Sequence, residues 1–291
     1  MKHLIVTLLL SFFCASAFAK QRPNVLFIIV DDLNDMPLHP EGKPHVPTPN
    51  FDRLAARGVS FTNAHCNDPI CAPSRSSMLT GLYPQTSSLY WFEDYRNNAL
   101  LAKSVTLTEH LATNGYGVYS VGKIYHGNQD PKGFYADRGP GGNIGPWPWD
   151  GRKASRSGFL PHPQQMFLYD DDADPDMDYK WEHTFGPLTM IPRYAADPDN
   201  DIPGYHGWRL SGKPWRYESD DDRDAMPDEM NAAWAAEILR REHKKPFTLF
   251  TGFSRTHTPL YAPQKYFDMF PLSEIEVPKA YLEGDLDDCA P

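Results

Sequence analysis

Asn24-Val25-Leu26-Phe27-Ile28-Ile29-Val30 is an unbroken apolar run, rich in β-branched residues, that stops abruptly at Asp31-Asp32. A half-exposed strand would alternate apolar with polar residues, so a run of this kind predicts a strand buried on both faces. Phe247–Phe253 predicts a second buried strand, ending near His257, and residues 116–121 predict another that delivers Gly122-Lys123. Helix signals fall between them. Thr48-Pro49 supplies a cap and a first-turn proline, with Gly58 as the stop, and Thr106 with Glu109 forms a capping-box pair for a helix ending at Gly115. Further helices are expected over 73–80, stopped by Gly81, and over 228–243, with a short strand at 59–61. Strands alternating with helices predict an α/β fold built on a largely parallel sheet with covered faces. Asp31, Asp32, Lys123 and His257 then all lie at or just beyond the C-terminal end of a strand, the edge where open α/β sheets bind ligands.

Composition narrows the class of function. The chain has 291 residues, of which 41% are hydrophobic and 23% charged, the balance of a globular protein. Its formal charge is -10, and runs such as Asp170-Asp171-Asp172 and Asp220-Asp221-Asp222 exclude nucleic acid as an expected partner. An anionic substrate would therefore need a locally basic pocket. From about residue 127 to 227 the regular pattern gives way to Gly-, Pro-, Trp- and Asp-rich sequence, expected to be a loop-rich insertion on the substrate side rather than a separate domain. Asp170, Asp172 and Asp174 hint at a calcium loop, but Pro175 stands where such a loop needs glycine, so a solvated acidic turn is expected.

The N-terminus predicts export. Lys2 and His3 precede an apolar run to Phe13, and Ala17-Phe18-Ala19 is a small-x-small cleavage site, so residues 1–19 read as a signal peptide and 20–291 as the mature chain. The mature protein is expected in the periplasm or outside the cell, with no membrane span. Cys66, Cys71 and Cys289 then remain, an odd number that excludes complete pairing within a monomer. A Cys66–Cys71 disulfide, a structural thiol and a plain cysteine nucleophile all compete for Cys71, although no base for the last is identifiable nearby.

Two further elements carry chemistry. Adjacent Asp31 and Asp32 form a hard, anionic oxygen site suited to Ca²⁺, with Mg²⁺ less favoured. Cys71-Ala72-Pro73-Ser74-Arg75 is followed at once by Ser76-Ser77-Met78-Leu79-Thr80-Gly81, and a helix beginning near Pro73 offers backbone donors and a favourable dipole to an anion. This run resembles the signature of the type I sulfatases, in which the cysteine is converted to formylglycine by a maturation enzyme. Gly122-Lys123-Ile124-Tyr125-His126 resembles the family's second signature, in the spacing of its iduronate-2-sulfatase-like branch, and 255–263, with its His257-Thr258-Pro259, resembles its His-x-Pro element. The sequence at 266–271 and 285–288 is also similar to that branch.

The resemblance implies an alkaline-phosphatase-like sandwich with a central, mostly parallel sheet. It implies hydrolysis of a sulfated saccharide, with Cys71, once converted, as nucleophile and as a metal ligand beside Asp31 and Asp32. Arg75 would hold the developing oxyanion or the modified residue, Lys123 and His126 would contact sulfate oxygens, and His257 would protonate the leaving alcohol or bind sulfate. A phosphate or phosphonate monoester hydrolase of the same superfamily is the rival enzyme, and a glycan-binding remnant the rival outside catalysis. The family's third element, an Asp paired with Asn or His and followed by a lysine, has no match after His257, and Asp199-Asn200 precedes it. The chain is therefore expected to be the N-terminal part of a longer protein, with its sheet incomplete at the C-terminus.

Overall fold

The computed structural model describes residues 22–33, 46–127, 134–148, 185–190, 198–200 and 207–275. The expected signal peptide, Asp170 to Asp174, Cys289 and 285–288 lie outside the described residues. In chain order the elements that frame the site are β1 (Val25–Val30), α1 (Pro49–Ala55), α2 (Cys71–Thr80), α3 (Leu107–Thr113), β2 (Gly117–Gly122) and β3 (Asp137–Gly141). After these come β4 (Trp147–Pro148), β5 (Phe185–Pro187), β6 (Trp208–Leu210), β7 (Lys213–Trp215), α4 (Pro227–Arg240), β8 (Phe247–Phe253) and β9 (Leu260–Ala262).

The main sheet runs β1-β8-β2-β3, and each neighbouring pair is parallel, as the apolar runs predict. Register pairs Val30 with Phe253 and Gly122 with Gly252, so the three strand ends that carry the candidate site are level. Alternate side chains divide between two faces. Val118 and Phe250 join Leu79 of α2 in one core, with Phe27, Ile29, Leu107 and Leu111 packed against it. Val121 and Leu249 join Ala235 and Ile238 of α4 in the other. Each fully buried leucine or phenylalanine here contributes about 2–5 kcal/mol, judged by the cost of truncating such residues. α4 reaches β2, β3 and β8, and no such element covers the same face of β1 among the described residues. Leu26 and Ile28 are accordingly 48% exposed at the sheet edge, where burial on both faces was expected.

Four other expectations change. Helix α2 begins on Cys71 rather than at residue 73, because Ile70 is extended as its N-cap and the Asp68 carboxylate accepts the Ile70 N–H. Pro73 then sits in the first turn, where a missing N–H costs nothing. Residues 59–61 form no strand, and Val59 and Phe61 are 80% and 81% exposed, since no described sheet edge runs beside them. α4 ends at Arg240, where Arg241 turns extended, short of the expected 243. The stretch expected to be irregular supplies β3 to the main sheet and also most of a further core, in which Leu188, Trp208, Trp215, Tyr217 and Met226 pack with Tyr261 of β9. Trp208 and Trp215 pay for their buried N–H groups by donating to the Leu188 and Ala225 carbonyls.

The α3 capping box forms as read: the Thr106 hydroxyl accepts the Glu109 N–H, and the Glu109 carboxylate accepts the Thr106 N–H at 2.6 Å. No helix among the described residues is long and apolar enough to cross a membrane.

Candidate active site

The site begins with how closely two strand ends approach. Gly122 has φ 76, and a Cβ on it would lie 1.8 Å from the Gly252 carbonyl oxygen. Only glycine fits there. The Lys123 N–H donates to that same oxygen, so the chain leaves β2 pressed against β8 and points toward β1.

Asp31 lies across this junction. Its N–H donates to the Phe253 carbonyl, and its own carbonyl accepts the Thr256 N–H, both at 3.0 Å. Its carboxylate is 4% exposed and engaged on both sides: Arg75 Nη2 donates to Oδ1 at 2.5 Å, and Lys123 Nζ pairs with Oδ2. Arg75, only 5% exposed, also donates through Nη1 to the Lys123 and Ile124 carbonyls at 2.5 and 3.1 Å. Burial alone would raise the Asp31 pKa, but Arg75 and Lys123 outweigh it and hold the carboxyl below its ordinary range. Arg75 thus also fixes the site's shape through Asp31 and backbone, while its buried Nε–H has no partner among the described residues.

Arg75 reaches Asp31 from α2, a helix poor in large apolar residues. Ser76, Ser77 and Leu79 are buried, and Ser76 and Thr80 return their hydroxyls to the Ala72 and Ser76 carbonyls. These small side chains let the helix lie close to the strand ends. Gly81 closes it in the left-handed region, φ 74. Cys71, half-buried, is its first residue, so it stands where unpaired N–H groups of the first turn collect. Both Cys66 and Cys71 are free, which removes the disulfide alternative. Burial pushes the Cys71 thiol up, and Asp31 and Asp32 add to this against the opposing pull of Lys123. A thiolate nucleophile is therefore disfavoured at this position.

Asp31, Asp32 and His257 place one ligand atom each within 4.8 Å of one another. Asp32 adopts φ 55, a left-handed conformation that aspartate tolerates, as it ends β1. This donor set, two hard carboxylates and an imidazole, fits a divalent cation, and it fills only part of the six to eight ligands of calcium. The Cys71 sulfur is outside this group; the ligand role expected at position 71 belongs to the converted residue. Asp31 turns its oxygens to Arg75 and Lys123, and the two carboxylates act on the Cys71 thiol as nearby charge.

The histidines behave differently from each other. The His257 Nδ1–H donates to the Thr258 carbonyl at 2.6 Å, which leaves Nε2 available. His126 packs its ring on Phe92, centroids 5.4 Å apart, beside the exposed Trp91. Burial, together with Lys123 and Arg75, lowers the His126 pKa, so this imidazole is neutral at neutral pH. The structure thus brings Asp31, Asp32, Cys71, Arg75, Lys123, His126 and His257 to one sheet edge. The sequence reading missed Asp228, which touches the backbone leading to His257; its only signal was an acidic first turn in Pro227-Asp228-Glu229.

Comparison with known proteins identifies the family and the fold. The family description that matches the chain is Sulfatase, over residues 23–282. A protein described as a sulfatase from Formosa agariphila is 36% identical over 275 residues, covering 93% of this chain and 46% of its own length. Human iduronate 2-sulfatase is 29% identical over 255 residues, covering 87% of this chain and 38% of its own length. The chain therefore spans less than half the length of these curated relatives. Among solved structures, Ps i-CgsB in complex with k-i-k-neocarrahexaose superposes with a TM-score of 0.52 at 20% identity, over 88% of this chain and 50% of that one. BT4656 in complex with its substrate D-glucosamine-2-N,6-O-disulfate gives 0.50 at 16%, over 89% and 40%. At these identities the likeness establishes the fold, an alkaline-phosphatase-like arrangement around a central parallel sheet.

Proposed function

Because the chain belongs to the sulfatase family, we propose that it carries the nucleophile-bearing part of a sulfuric ester hydrolase acting on a sulfated carbohydrate. The observation that carries this reading is the position of Cys71. It opens a helix at the C-terminal edge of the sheet, with Lys123 beside it and its thiol pKa raised. A raised pKa suits a residue that is chemically converted before use better than one that works as a thiolate. Conversion by a maturation enzyme replaces the thiol with an aldehyde, and its hydrate supplies a nucleophile whose second hydroxyl lets sulfate depart.

Around that centre, the chain's own residues have separable tasks. Lys123 and the N-terminal N–H groups of α2 attract the sulfate oxygens. His126, kept neutral, donates a hydrogen bond without adding a fixed charge. His257, with its Nδ1–H held by the Thr258 carbonyl, would as imidazolium hand the proton on Nε2 to the leaving alcohol. Arg75 keeps Asp31 charged and in place. Asp31 and Asp32 would hold Ca²⁺, in preference to Mg²⁺, which supplies positive charge to the sulfate. Tyr90, Trp91 and Phe92 lie exposed next to His126 and offer apolar faces to a sugar ring. The saccharides bound to Ps i-CgsB and BT4656 support a carbohydrate substrate. We place the protein outside the cytoplasm, in the periplasm or beyond.

The test is turnover of matched aryl sulfate and aryl phosphate esters by the calcium-loaded protein from a host with the maturation enzyme. Sulfate release is expected. Turnover of phosphate alone would replace the proposal with a phosphate or phosphonate monoester hydrolase. Tight binding of a sulfated sugar without turnover, with residue 71 converted, would leave only a glycan-binding role.

A further inference from the structure

The segment that bears His257 leaves β8 as irregular chain, yet all four of its backbone N–H groups are held. Ser254 N–H donates to Asp228 Oδ1 at 2.9 Å and to Oδ2 at 3.1 Å, and Arg255 N–H donates to Oδ2 at 2.8 Å. Thr256 N–H donates to the Asp31 carbonyl, and His257 N–H to the Ser254 carbonyl. One carboxylate on α4 therefore satisfies half of the segment. The Arg255 guanidinium adds a second tie, to the Ile144 and Gly145 carbonyls at 2.7 and 3.0 Å. Asn231, fully buried on the next turn of α4, extends Nδ2 toward Asp228 Oδ1 and the Gly252 carbonyl, both at 3.4 Å.

The ordinary task of an acid in a helix's first turn is to cap the helix. Glu229 already performs it here. Its carboxylate accepts the Met226 N–H at 2.8 Å and pairs with Arg223 at 2.6 and 2.7 Å. Asp228 instead directs both oxygens at another element.

We propose that Asp228 is a positioning residue for His257. By gripping the Ser254 and Arg255 amides it sets where the turn presents the imidazole against Asp31 and Asp32. The inference rests on the proposed proton-transfer role of His257. An error of about 1 Å in the placement of such a group lowers turnover by on the order of 100-fold.

Two arms on the full chain test this. Amide hydrogen exchange is compared among wild type, Asp228→Asn and Glu229→Gln, and kcat and KM on an aryl sulfate are measured in parallel. D228N keeps one acceptor oxygen and turns an NH₂ toward the two amides. It is expected to deprotect Ser254 and Arg255 while Leu249 and Phe250 stay protected. Its kcat should fall by on the order of 100-fold with KM little changed, and E229Q, which weakens the helix cap and the Arg223 pair but touches neither the Ser254 nor the Arg255 amide, should match wild type in both arms. Equal effects of D228N and E229Q, or unchanged protection at 254 and 255 in D228N, would overturn the proposal. If D228N also deprotects Leu249, Asp228→Glu decides, since it restores both oxygens: recovered protection supports the anchor, and continued loss overturns it. Deprotection in D228N, alongside a wild-type protein that hydrolyses no sulfate ester, would uphold the anchor and refute the catalytic reading of His257.

Discussion

Replacing Arg75 with methionine keeps most of the side-chain volume but removes the guanidinium from Asp31. The two residues are 5% and 4% exposed, so solvent neither screens their pairing nor rehydrates what is left behind. The variant loses the 2.5 Å bond to Asp31 and leaves the Lys123 and Ile124 carbonyls without their donor. Removing one partner of a buried ion pair costs about 3–5 kcal/mol. Against a typical total of about 5–15 kcal/mol, that is a large share of the stability. At about 2–4 °C per kcal/mol, the expected drop in Tm is about 6–20 °C. Asp31 adds a pH signature. In the wild type its pKa lies below the ordinary value, so its contribution is complete above the unfolded pKa and is lost as pH falls through the folded one. Without Arg75, burial is opposed by Lys123 alone, and the acid unfolding midpoint moves to higher pH. Urea titrations in EDTA from pH 3 to 7 read both effects. A loss under about 1 kcal/mol, or an unmoved acid midpoint, would refute the clamp between Arg75 and Asp31.

Gly122→Ala places a Cβ 1.8 Å from the Gly252 oxygen at a positive φ, and calorimetry should show a destabilisation of about 1–3 kcal/mol or more; a Tm equal to wild type would contradict the close approach of β2 and β8. Thr106→Val removes the hydroxyl that caps α3 and should lower stability by about 0.5–2 kcal/mol in denaturant unfolding. Trp91→Ala should raise KM for a sulfated oligosaccharide several-fold while leaving a small aryl sulfate unaffected; equal effects on both substrates would remove the sugar-facing role of the aromatic strip.

Much of the frame was legible because buried parallel strands declare themselves as unbroken apolar runs, and 24–30 and 247–253 both do. Strand ends then located Asp31, Lys123 and His257 without any contact information. β3 was hidden because Asp137-Arg138-Gly139-Pro140-Gly141 carries no β signal. It joins the sheet through its backbone, and Gly139 is needed there because a Cβ would meet the Trp234 ring at 2.7 Å. The strand expected at 59–61 failed for the opposite reason: its residues favour a strand, but pairing needs an adjacent edge, which local sequence cannot supply. Arg75 was read as holding the oxyanion or the modified residue because its type allows it, and its further bond to Asp31 was hidden because that depends on how α2 lies over β1 and β2. Asp228 escaped notice because its partners, Ser254 and Arg255, lie 26 and 27 residues away. The Trp-rich middle of the chain read as loop because its core is assembled from single residues of several short elements.

The central claim is that Cys71 becomes the nucleophile by conversion rather than by ionisation. It is tested by the mass of the peptide containing residue 71, taken from the protein fraction that hydrolyses an aryl sulfate. The predicted peptide has lost a sulfur and two hydrogens and gained an oxygen, and Cys71→Ala, having neither thiol nor aldehyde, is inactive. An unmodified Cys71 thiol in protein that turns over the ester would contradict the account.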